Sequence, residues 1–147
     1  MSEQPVKLNS KKTIGIIAGV LAFLLVSYLL KQTVFAPPSF DKLLKDAAVE
    51  INKDCPMMID SLTRLDNTEA TTEGTFQYNY TLVNAVKGET QLDSLWKNLD
   101  PSILKTIRTD PEMKVYRENK ATLNYIYKDK NGALLHKYSV TPAMYMK

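Results

Sequence analysis

Few side chains in this sequence have the identity to do chemistry. It holds one histidine, His136, and one cysteine, Cys55. A cysteine nucleophile needs a base within hydrogen-bond reach, and nothing in the spacing brings these two together. A zinc site needs His or Cys ligands in close pairs, and a phosphate-cradling loop needs clustered glycines; neither pattern occurs. Catalysis, a metal and a cofactor are therefore not expected. The residue types that remain suit recognition. Asp60, Arg64 and Asp66 alternate along one stretch, and Gln77, Asn79 and Thr81 along the next. On strands, each set occupies one face, giving either a solvated surface with weak ion pairs or a polar interaction surface. Five tyrosines, Tyr78, Tyr80, Tyr125, Tyr127 and Tyr138, alternate in the same way. They read either as core, with ring buried and hydroxyl at the rim, or as an aromatic groove for a small apolar ligand or lipid.

The elements that must position these residues can be read from periodicity. Phe40, Leu43, Leu44, Ala47, Ala48 and Ile51 form one apolar stripe at helical spacing, capped by Ser39 and ending before Pro56. Residues 58–72 read as a first, polar strand. Phe76, Tyr78, Tyr80 and Leu82 alternate with polar residues and mark a second. Leu92, Leu95, Trp96 and Leu99 return to helical spacing. Asp100-Pro101 then reads as a cap that restarts the helix through Ile103, Leu104 and Ile107. Asp110-Pro111 repeats the device before a short helix ending near Asn119. Asn131-Gly132 suits a two-residue type I′ turn. That turn pairs Tyr127 with His136, Tyr125 with Tyr138 and Leu123 with Val140. His136 reads as a packing residue at an aromatic edge. The expected fold is α+β in the order α-β-β-α-β-β, a two-layer domain whose four-stranded antiparallel sheet carries helices on one face.

Ahead of that domain, residues 13–30 contain no charge. At helical rise they span about 27 Å, close to the ~30 Å of a bilayer core. The organisation expected is a basic cytoplasmic tail over residues 1–12, a transmembrane signal anchor over 13–35, a short linker over 36–39 and an exported domain over 40–147. A cleaved secretory signal fits less well, because Val34-Phe35-Ala36 followed by Pro37 is a poor cleavage site. Lys7, Lys11 and Lys12 before the anchor favour a cytoplasmic N-terminus. Gly15 and Gly19 form a GxxxG pair, which makes a homodimer through the anchor a candidate contact. Net charge is +3, drawn largely from the N-terminal lysines, so no nucleic-acid partner is expected. Cys55 reads as a buried thiol, with an intermolecular disulfide as the alternative.

Cys55-Pro56-Met57-Met58-Ile59-Asp60, Thr63-Arg64-Leu65-Asp66-Asn67, Phe76-Gln77-Tyr78-Asn79-Tyr80-Thr81-Leu82 and Tyr125-Ile126-Tyr127-Lys128-Asp129 with Asn131-Gly132 resemble a recurring set of small, functionally uncharacterised bacterial exported or membrane-anchored proteins. The resemblance implies a bacterial envelope setting and no activity. Together these features predict a single-pass, non-enzymatic protein of the bacterial inner membrane. Its periplasmic domain would bind an envelope protein, with a small-ligand or lipid-binding module as the alternative.

Overall fold

The computed structural model describes residues 39–71 and 73–147. The anchor read over 13–35, with the Gly15/Gly19 contact, lies outside the described residues. Among those residues, no helix is long and apolar enough to cross a membrane. The element order is α1 (Phe40–Asn52), β1 (Met57–Met58), β2 (Thr63–Ala70), β3 (Thr75–Leu82), α2 (Asp93–Thr109), a 3-10 turn (Pro111–Met113), α3 (Lys114–Glu118), β4 (Thr122–Asp129), β5 (Leu134–Val140) and α4 (Pro142–Tyr145).

The five strands form one sheet in the order β1-β2-β3-β4-β5. Three of the pairings are antiparallel, but β3 and β4 run parallel, with Tyr78 opposite Tyr125 and Tyr80 opposite Tyr127. This corrects the expected four-stranded antiparallel sheet in two ways. The polar stretch 58–72 is a short strand, a turn and a longer strand rather than one strand. The helical connection between β3 and β4 also returns the chain to the end where β3 began, so the next strand must run parallel.

One sheet face is covered. The α1 stripe Leu44, Ala47, Ala48 and Ile51 is buried, as are Leu99, Ile103 and Ile107 of α2. Beneath them lie Leu65, Phe76, Tyr78, Tyr80, Leu123, Tyr125 and Tyr127. The rings are ordered: Tyr78 stacks on Tyr125 at 5.3 Å, Tyr80 on Tyr127 at 5.0 Å, and Phe76 meets Tyr78 edge-on at 5.0 Å. Parallel pairing brings these tyrosines side by side across the strands, where offset stacking adds to area burial.

Local signals were read unevenly. Ser39 caps α1 by accepting the N–H of Lys42, and Asp110 caps the 3-10 turn by accepting that of Glu112. Pro101, by contrast, lies inside an unbroken α2, so Asp100 is a mid-helix residue and not a cap. The β4–β5 register pairs Tyr127 with His136 and Tyr125 with Tyr138 as expected, but the closure differs. Asp129 N–H bonds the Ala133 carbonyl at 2.9 Å, giving a three-residue loop in which Gly132 has φ +85°. A bulge between Lys128↔Leu134 and Tyr127↔His136 then restores the pairing.

Candidate functional site

The joint between α2 and β5 is built on His136. Its Nε2 lies 2.9 Å and 3.0 Å from the two carboxylate oxygens of Asp100. Its ring stacks on Trp96 at 4.4 Å with planes 15° apart. Trp96 and Asp100 are four apart on one helix, so they share a face and grip one imidazole between a ring and a carboxylate. Trp96 also meets Tyr127 at 5.3 Å. The arrangement fixes a helix to a sheet and holds no nucleophile. The packing role read for His136 stands, and its partner Asp100 was missed because the proline beside it imitated a helix start.

The opposite sheet face carries two neighbouring polar clusters. Arg64 Nε donates to Asp66 Oδ1 at 2.6 Å, and Thr81 Oγ1 donates to Asp66 Oδ2 at 2.6 Å. Beside them Asn79 Nδ2 donates to Asn67 Oδ1 at 2.7 Å and Glu69 Oε1 at 3.1 Å, while Gln77 Nε2 donates to Asn79 Oδ1 at 3.1 Å. The structure thus places Arg64, Asp66, Gln77 and Asn79 on one sheet face, in two bonded clusters, and leaves Asp60 apart. Asp60 sits in the β1–β2 turn, where Oδ1 accepts the N–H groups of Leu62 and Thr63 at 2.7 Å each. A bulge at Asp66, between Leu65↔Tyr80 and Asn67↔Asn79, turns both Asp66 and Asn67 toward the open face. Strict alternation hid Asn67 and Glu69 from the sequence reading for that reason. Asn79 and Thr81 are buried, each bonded to a side chain of the neighbouring strand β2.

Asp129 ties the sheet end together. It is 2% exposed and accepts three backbone N–H groups, from Lys87 at 2.9 Å, Asn131 at 2.9 Å and Ala133 at 2.8 Å. The Lys87 N–H contributes most to holding its carboxyl below the usual carboxylate range, against a desolvation that opposes it.

Four of the five tyrosines are core: Tyr78, Tyr80, Tyr125 and Tyr127 are each at most 9% exposed, and Tyr138 is half-buried at the rim. Burial pushes Tyr78 up to about 12 and raises Tyr80, Tyr125 and Tyr127 well above their ordinary value. Tyr116 is fully buried above them, with its hydroxyl beside that of Tyr78. An apolar ligand could reach this layer only by parting the helices from the sheet. Cys55 is half-buried against the core, and burial, reinforced by Asp54 and Asp66, raises its thiol, which suppresses the reactive thiolate. Among the described residues no group of three or more His, Cys, Asp or Glu could hold a metal.

A domain-of-unknown-function family, DUF8479, matches residues 39–136. The chain belongs to this family. Its match begins at the α1 cap and ends at His136, spanning the joint and the open face. No curated protein matches by sequence. The DUF8479 fold is similar to that of a secreted protein from Pseudomonas aeruginosa, with a TM-score of 0.59 and 10% identity over 71% of this chain and 91% of that one. It is similar also to the pilotin EpsS of the Vibrio vulnificus type 2 secretion system, with a TM-score of 0.55 and 10% identity over 71% and 90%. For the type II secretion pilotin AspS of Vibrio cholerae the values are 0.52 and 10%, over 71% and 91%. The expectation of a single-pass inner-membrane protein is corrected accordingly. No described helix crosses a membrane, and the similar folds are a secreted protein and secretion-system pilotins.

Proposed function

We propose that this domain is a non-enzymatic binding module for a protein of the bacterial cell envelope. The observation that carries the reading is the likeness of its fold to two secretion-system pilotins. Two features of the molecule support it. The one histidine and Asp100 are engaged with each other, locking α2 to the sheet. The open sheet face presents Arg64, Asp66, Asn67, Glu69, Gln77 and Asn79 in fixed mutual geometry, as a preorganised recognition surface requires. The sequence resemblance to small bacterial exported proteins points to the same setting.

The test is site-specific photo-crosslinking in the native host. A crosslinker is placed at Asn67 on the open face, at Lys137 on β5, and at Val49, exposed on α1. A discrete adduct with one envelope protein from at least one position is the expected result. Absence of any specific adduct from all three, under several growth conditions, refutes the reading.

A further inference from the structure

The two edges of the sheet are treated differently. At one edge β1 contributes only Met57 and Met58, and the strand behind it is closed farther along by a side chain. The carboxamide of Asn52 accepts the Thr68 N–H at 2.7 Å and donates to the Thr68 carbonyl at 2.8 Å. It thereby occupies the two main-chain groups that an incoming strand would use. At the other edge β5 runs for seven residues, Leu134–Val140. Among the described residues its main chain bonds only to β4. An edge left open from Leu134 to Ser139, with Val140 buried at its end, is a template for another strand, and its unpaired N–H and C=O groups specify an extended backbone as the occupant.

The charges beside that edge narrow the occupant further. On the open face Lys137 stands opposite Ile126, and Lys128 stands opposite Leu134, so two exposed lysines flank the edge on one side. On the covered face the exposed Arg108 donates to the Met144 carbonyl, while Asp100 is engaged by His136. The acidic residues of the open face, Asp66 and Glu69, lie three strands away on β2 and are bonded to Arg64 and Asn79. A second copy is a poor occupant. Symmetric antiparallel pairing of two β5 strands about their middle residue sets Lys137 against Lys137, and like charges directly opposite are destabilising.

We infer that the β5 edge receives an extended, acidic segment of a partner protein, which adds a sixth strand to the sheet. This rests on the binding-module reading above and specifies where and how that module binds. The probes are two capped peptides, one alternating valine with glutamate and one alternating valine with lysine. Amide hydrogen exchange is followed residue by residue on the full chain. The expected result is at least tenfold slower exchange of β5 amides with the glutamate peptide and no such change with the lysine peptide. The double variant Lys128→Glu, Lys137→Glu changes only exposed side chains, and it should reverse the preference. Protection centred on α1 or on the Asn67–Gln77 face, equal effects of both peptides, or unchanged β5 exchange would each overturn the inference. If the crosslinks instead recover an envelope partner only from Asn67 or Val49, the binding module stands and the edge assignment falls. If no position yields an adduct, the module itself fails.

Discussion

Raising the pH turns the aromatic layer into a probe of the fold. Tyr78, Tyr80, Tyr116, Tyr125 and Tyr127 are buried, and burial raises every one of their hydroxyls above the ordinary value of 10.0. Above pH 10 the unfolded chain releases these protons while the folded chain keeps them. The stability they contribute is thus fully present below that pH and is lost as pH rises toward the folded values. Each ring lowers unfolding free energy by about 1.4 kcal/mol per pH unit in that window. For Tyr78, displaced to about 12, the total is ~3 kcal/mol. Five rings acting together remove about 7 kcal/mol per pH unit, against a typical domain stability of roughly 5–15 kcal/mol. Tyrosinate absorbance and near-UV circular dichroism followed together should therefore show one cooperative transition, steep in pH, in which ionisation and loss of tertiary structure coincide. Gradual ionisation beginning at pH 10 with the dichroism intact would refute the packing of these rings.

Other perturbations test single joints. Tyr116→Phe removes a buried hydroxyl that sits beside that of Tyr78, and thermal unfolding should shift by no more than about 1 kcal/mol. Asp100→Ala takes away the partner of His136 and should destabilise by about 1–2 kcal/mol. Trp96 is the only tryptophan of the chain, so its emission should report that loosening directly. Asn52→Ala exposes the edge of β2 at Thr68 and should lower stability by about 1–2 kcal/mol in denaturant titrations. Asp129, its carboxyl held low by backbone N–H groups, stabilises the fold above the usual carboxylate range, and that contribution disappears as pH falls through its depressed folded value. Asp129→Asn should accordingly flatten the acid side of the stability profile, and an unchanged profile would refute that role.

How far the sequence disclosed this molecule depends on whether a signal is local. The α1 stripe from Phe40 to Ile51, the alternation from Phe76 to Leu82 and the cap at Asp110 are local, and each appears where periodicity and capping chemistry put it. The parallel pairing of β3 with β4 is not local: the alternation of Tyr78, Tyr80, Tyr125 and Tyr127 is the same for either strand direction. Asp100-Pro101 shows a local signal outvoted, since tertiary contacts through Trp96, Leu99 and Ile103 carry α2 across the proline. The open face was half legible. Arg64, Asp66, Gln77 and Asn79 share the face that alternation gives them, whereas the bulge that adds Asn67 leaves no mark in a pattern of alternating residues.

The hairpin carries a consequence of its own. A plain two-residue turn at Asn131-Gly132 and the observed three-residue loop with its bulge use the same residues between Tyr127 and His136, and both deliver the same partners to that pair. The tip is therefore degenerate, with two closures of equal length for one register. Asp129 breaks the tie, because its carboxylate bonds Asn131, Ala133 and Lys87 in the observed closure. Changes at Lys130 or Asn131 can be absorbed there without moving His136 away from Asp100, while Gly132, at φ +85°, is the tip position that does not accept a side chain without strain.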